Sequence, residues 1–132
     1  MIEVELSRII IHDRCDGQVI YLKEKGGRRA FSIMVGSYEA MAIDRRLKNR
    51  AVPRPQTHDL LANVISDLGG KIERVNVNDL RDDTFFAQIM IRLGSELVEI
   101  DSRPSDAIAL VAGMDVPIYV AEKVIDEVGA EE

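Results

Sequence analysis

The chain has 132 residues, 46% hydrophobic and 30% charged, with a formal net charge of −6, which suits one globular domain with a real core and excludes a disordered chain. No apolar run approaches the roughly 18–20 residues that span a bilayer, so no membrane partner is expected. The start MIEVELSRIII is acidic where a secretory signal would be basic, which makes the cytoplasm the expected location.

Residues 3–35 read as three antiparallel strands. Asp16-Gly17 separates VELSRIIIHDR from QVIYLKEK, and Gly26-Gly27 separates that from RRAFSIMV. Both dipeptides supply the positive φ angles of a tight hairpin. Cys15 is the single cysteine, which excludes an internal disulfide and a thiolate metal site, and beside Asp16-Gly17 it reads as a turn-flanking residue. His12 falls at a strand end. A helix follows in GSYEAMAIDRRLK, where Ala40, Ile43 and Leu47 fall at i, i+3 and i+7. Its end runs into Arg45-Arg46-Leu47-Lys48-Asn49-Arg50 and on to Arg54. This basic run suits phosphates, and equally suits cations gathered at the negative end of a helix dipole. No aromatic residue interleaves with it, so base stacking is not expected there.

Pro53 and Pro55 hold the approach to a connecting helix extended. Thr57 is placed as its N-cap, with Asp59 in the first turn complementing the dipole. Leu60, Leu61, Val64, Ile65 and Leu68 form one apolar stripe, and Gly69-Gly70 ends the helix. A second three-stranded unit occupies 71–101. KIERVNVNDL turns through Arg81-Asp82-Asp83-Thr84 into FFAQIMIRL, and Gly94-Ser95 turns that into ELVEID. PSDAIALVAG then starts a helix at Pro104, whose missing N–H costs nothing at a first helical position, with Gly113 as its C-cap. Residues 107–112 are apolar all round, which predicts a buried helix. VPIYV and AEKVIDEV supply a last strand and helix before an acidic tail at 129–132.

The expected fold class is therefore α+β: two β-β-β-α units, a connecting helix and a C-terminal strand–helix, in one domain over 1–128. AFSIMVGSYEAMAI (30–43) and LVEIDSRPSDAIAL (97–110) align without a gap. Ile33 falls on Ile100, Glu39 on Asp106, Ala40 on Ala107 and Ala42 on Ala109, the pattern of an internal duplication. Charge divides unevenly: residues 1–56 hold 11 Lys/Arg against 7 Asp/Glu, and residues 57–132 hold 6 against 16.

The chemistry concentrates in two places. Glu99 and Asp101 are two apart on a strand and share a face, and Asp106 lies in the first turn of the next helix. Such carboxylates suit a divalent cation such as Mg or Mn, with Asp101 and Asp106 as its ligands. Arg103, beside the helix N-terminus, suits a phosphate that Ser105 would orient. Arg103 paired with Asp101 or Asp106 would equally be a well-capped helix start and nothing more. His58 stands beside Asp59 after a rigid Pro-Arg-Pro approach that also brings Arg54. An imidazole there is the candidate for proton transfer, although helix starts also hold purely structural histidines. P-loop, GxGxxG, HExxH and GxSxG motifs are all absent.

Three segments in order, VPRPQTHDLL (52–61), LRDDTFFAQIMI (80–91) and IDSRPSDAIAL (100–110), resemble the bifunctional nuclease domain family. The resemblance implies a compact α+β domain, nuclease activity on DNA and RNA, and self-association as a homo-oligomer, most simply a dimer. Its motif positions here are Arg54, Thr57, His58, Asp59, Asp101, Ser102, Arg103, Ser105 and Asp106. From their chemistry, His58, Asp101 and Asp106 are the expected catalytic groups, and Arg54, Arg103 and Ser105 the expected substrate contacts. The competing expectation is a non-catalytic regulatory or protein-interaction domain whose motifs brace the fold. Whether 54–59 and 101–106 share one cleft separates the two.

Overall fold

The computed structural model describes residues 1–11 and 17–131, and within them both three-stranded units form. β1 (Ile2–Ile10), β2 (Gly17–Glu24) and β3 (Arg29–Gly36) run antiparallel in that order. So do β4 (Gly70–Arg81), β5 (Thr84–Leu93) and β6 (Glu96–Ser102). His12, Cys15 and the first half of the Asp16-Gly17 turn lie outside the described residues. The glycine turns fall where expected, with Gly26 at φ 76° and Gly94 at φ 63°. Asp82 and Asp83 make the β4–β5 turn with φ of 50° and 62°, a left-handed region that aspartate tolerates better than most residues.

β7 (Ile118–Val120) joins the units. It lies parallel to β4 and antiparallel to β1, which gives one eight-stranded mixed sheet of order β6-β5-β4-β7-β1-β2-β3-β8. The residues of the eighth strand, β8 (Ala130–Glu131), fall within the acidic tail at 129–132 and pair with Arg29 and Ala30 of β3. Arg29 helps bring them there, because it bonds Asp126 of α4 (Glu122–Val128) at 2.9 Å.

The sheet curls. Phe31 of β3 stacks on Phe85 of β5 with ring centroids 5.9 Å apart, although four strands lie between theirs in the sheet order. The concave side holds the core, built from alternate residues such as Phe31, Ile33 and Val35 on β3. α3 (Pro104–Val111) is enclosed there: Pro104, Ser105 and residues 107–111 are all buried, as its unbroken apolar composition requires. α1 (Ser37–Leu47) packs against it through Ala40 and Ile43. Gly36 and Arg103, matched in the internal alignment, each occupy the N-cap position of their helix.

α2 (Thr57–Asp67) departs from expectation in two ways. It has no fully buried residue, and Leu60 and Leu68 are 56% and 75% exposed. The five-residue stripe is too wide for one contact face, so Ala62 and Ile65 pack inward and Leu60, Leu61, Val64 and Leu68 remain outside. α3 already fills the concave side that would have buried them. The helix also begins one residue earlier in its cap than expected: Gln56, not Thr57, is the N-cap, and its N–H donates to the Asp59 carboxylate at 3.0 Å. Among the described residues no helix is long and apolar enough to cross a membrane.

Candidate functional site

The strand-to-helix joint at 102–106 and the start of α2 meet at one place. Pro104 fixes the first turn of α3, which projects Asp106 sideways from the buried helix. The start of α2 sets His58 opposite it, and His58 Nε2 lies 3.1 Å from Asp106 Oδ1. Arg103 grips the other oxygen: its Nε and Nη2 stand 2.9 and 2.8 Å from Asp106 Oδ2. Nη2 also reaches Glu39 Oε1 on α1 at 2.9 Å. Hydrogen bonding to Asp106 is the main reason that the Arg103 pKa is raised, so this group stays charged.

These side chains open onto a shallow hollow of about 620 Å³, walled by Thr57, His58, Leu61, Ile89, Ile100, Asp101, Ser102, Arg103 and Asp106. Thr57 and His58 therefore share one hollow with Asp101, Ser102, Arg103 and Asp106. Two expected substrate contacts are not on its wall. Arg54 is an exposed loop residue without a partner among the described residues, and Ser105 is buried against a neighbouring hollow. A separate cavity of about 330 Å³ beside β1 has neither histidine nor arginine in its wall, and its Lys25 is already paired with Glu3 at 3.3 Å.

The two expected metal ligands reach the hollow from different elements. Gln88 lies across from Asp101 and donates to Glu99 at 3.3 Å, so both acids share one face of β6. Ile100, across from core residue Ile89, marks the other face, towards α3. Asp101 thus reaches the hollow from the strand edge, while Asp106 comes from the helix with both oxygens engaged. Among the described residues no three His, Cys, Asp or Glu side chains group as a cation cage. A divalent ion at Asp101 and Asp106 would have to compete with His58 and Arg103 for the Asp106 oxygens.

The basic run also resolves differently. Arg45 donates to Asp59 at 2.7 Å, and Arg46 pairs with the other oxygen of the same carboxylate. Arg46 further donates to the Leu110 carbonyl at 2.7 Å near the end of α3. These largely buried arginines bind α1, α2 and α3 together and are not a phosphate track. Burial acts to raise the Asp59 pKa, but the Gln56 N–H and the two arginines outweigh it and hold the carboxyl below its usual range. Sequence reasoning missed Glu39 as part of the site, although the internal alignment had already set it against Asp106.

A family model described as "Bifunctional nuclease domain" matches residues 20–132. An uncharacterised protein of Mycobacterium tuberculosis is 34% identical over 127 residues, covering 96% of this chain and 76% of its own. Bifunctional nuclease 1 of Oryza sativa subsp. japonica is 24% identical over 118 residues, 86% of this chain and 36% of that one. Bifunctional nuclease 1 of Arabidopsis thaliana is 26% identical over 105 residues, 77% and 32% respectively, so the chain spans about a third of these plant proteins. The matched region takes in every residue of the His58–Asp106–Arg103 cleft, and by that match this chain belongs to the bifunctional nuclease domain family.

Proposed function

We propose that the protein hydrolyses phosphodiester bonds of nucleic acid in the open hollow at the start of α2 and α3. The observation that carries this reading is the 3.1 Å contact between His58 and Asp106, beside a cationic Arg103 on the same wall. With Nε2–H donated to Asp106, the imidazole keeps its Nδ1 lone pair for a proton. Asp106 orients the ring and stabilises the imidazolium, as the acid of a His–Asp pair does.

In this mechanism the phosphate rests on Arg103. Nε and Nη2 are committed to Asp106 and Glu39, which leaves Nη1 as a donor without a partner among the described residues. Nδ1 of His58 takes the proton of the attacking hydroxyl, either water or the 2′-OH of RNA. Charge that develops on the phosphoryl oxygens is met by the guanidinium. The resulting imidazolium returns its proton to the leaving oxygen, which balances the reaction without a further reagent. Asp101 on the rim is the remaining carboxylate, suited to water placement. Activity on both DNA and RNA, a cytoplasmic setting and a dimeric state belong to the same reading, and sedimentation of the full chain measures the last.

The test is cleavage of single-stranded DNA and RNA by extensively purified protein beside His58→Ala and Asp106→Asn. Loss of about 10²–10⁴-fold in both variants, with the melting temperature moved by no more than a few degrees, is the expected result for a general base and its partner. Equal rates in all three preparations point to a contaminant or another site. A second reading, a non-catalytic domain braced by these motifs, draws on the way Arg103 ties α1 to α3.

A further inference from the structure

Arg103 belongs to two hollows. Beyond it from His58 lies a second one of about 380 Å³, lined by Ser32, Met34, Asp83, Thr84, Phe85 and Pro104 among others. Its size falls in the roughly 300–1,000 Å³ range of small-molecule sites. Phe85 is half-buried and backed by Phe31, and with Met34 and Pro104 it gives this hollow an apolar, partly aromatic wall. Met34, 75% exposed on β3, adds an adaptable thioether to the lining. Asp83 supplies an oxygen edge. It is held at φ 62°, and its carboxylate has no partner among the described residues.

We infer that this hollow binds the base of a guanine nucleotide whose phosphate lies on Arg103. A planar base suits an aromatic and thioether wall. An ionised carboxylate only accepts hydrogen bonds, so Asp83 matches the N1–H and amino donors on the Watson–Crick edge of guanine. Adenine would turn its N1 lone pair against the same oxygen. Arg103 lines both this hollow and the His58 cleft, so the phosphate attached to such a base would lie against it. The inference rests on the reading of Arg103 as a phosphate ligand, and is independent of whether the phosphate is then cleaved. A free nucleotide and a guanine within a single strand present the same chemistry.

Calorimetric titration of the full chain with GMP, AMP and guanosine, and with short single strands that contain or lack guanine, tests it. GMP should bind at least about tenfold more tightly than AMP or guanosine. Asp83→Asn, which keeps a residue at ease in the left-handed turn, should erase the preference over AMP without lowering the melting temperature. Equal binding of GMP and AMP, or a preference that survives Asp83→Asn, overturns the assignment of the base. Guanosine binding as tightly as GMP overturns the link to Arg103. Tighter binding of the guanine strand than of GMP marks the source as nucleic acid, and the reverse marks a free nucleotide; either supports the guanine site. Guanine-selective binding by a protein that cleaves nothing would remove the nuclease reading and leave this one standing. Cleavage without guanine-selective binding would do the opposite.

Discussion

Arg103 Nη2 donates to Glu39 Oε1 at 2.9 Å, which ties the residue before α3 to the first turn of α1. The same guanidinium holds Asp106 in the first turn of α3. Glu39 and Asp106 occupy matched positions of the two β-β-β-α units, and each carboxylate is favoured by the positive end of its own helix. One cation therefore serves both helix starts, and a single residue carries the structural and the chemical reading together.

Stability and activity of Arg103→Ala separate those readings. The Arg103 side chain is 67% exposed, so solvent screens both of its pairs, and their loss should cost no more than about 1 kcal/mol. Thermal unfolding should move by a few degrees while cleavage falls by about tenfold or more. A steep loss of stability with cleavage intact would instead assign Arg103 to the fold.

Asp59→Asn should be far more damaging to stability than Arg103→Ala. The Asp59, Arg45 and Arg46 side chains are 18%, 16% and 12% exposed, and Asn would leave two arginines half-paired in that setting. A cost on the order of 3 kcal/mol is expected from breaking such a buried network, trimmed by its residual hydration. The pH dependence has a definite sign. The folded-state pKa of Asp59 lies below its reference value of 3.8, so its contribution is fully present above that value and is lost as pH falls through the folded pKa. Glu24 and Glu73, lowered chiefly by hydrogen bonds from Arg29 and Arg92, act in the same direction. Chemical denaturation from neutral pH down to about pH 2 should show stability falling in the acid range, with a shallower fall in Asp59→Asn.

The sequence carried most of the strands and helices because their signals are local. Gly26 and Gly94 mark turns by the φ they permit, and Pro104 marks a helix start by the donor it lacks. What escaped was set by the curl of the sheet. Filling the concave side with α3 left Leu60 and Leu68 outside on α2, and no periodicity in 57–68 distinguishes an inward leucine from an outward one. The same applies to the site. His58, Arg103 and Asp106 were legible as reactive types at helix starts, whereas their meeting depends on the fold and was open in the sequence. Their individual partners were not legible. Arg45 and Arg46 read as surface cations until Asp59, on another helix, was placed against them. Asp101 and Asp106 line one hollow from a strand and a helix, and the partners that engage Asp106 were not legible from their spacing.

Gly113→Ala should destabilise through two separate effects. Gly113 has φ 79°, where a side chain is strained, and a Cβ there would collide with the Arg46 carbonyl oxygen. The glycine is what lets the end of α3 lie against α1, close enough for Arg46 to reach Leu110. A loss above about 1 kcal/mol is expected from the backbone conformation alone, and the close contact adds to it. Because the hollow at the other end of α3 is not touched, cleavage per folded molecule should be retained. Denaturant unfolding paired with an activity assay at low temperature measures both quantities.

Leu110→Ala and Leu68→Ala test which apolar surface holds the molecule together. Leu110 is fully buried in the enclosed helix, and truncating it removes contacts that the surrounding sheet cannot collapse to restore. A loss of about 2–5 kcal/mol is expected, enough to threaten folding in a domain of ordinary stability. Leu68 is 75% exposed just beyond α2, so the same truncation should stay within about 0.5 kcal/mol. Urea denaturation at low protein concentration compares the two without interference from self-association. A large effect at Leu68 under those conditions would mean that α2 packs more closely on the sheet than its exposed leucines indicate. That would also displace His58 from Asp106, since the same helix carries it.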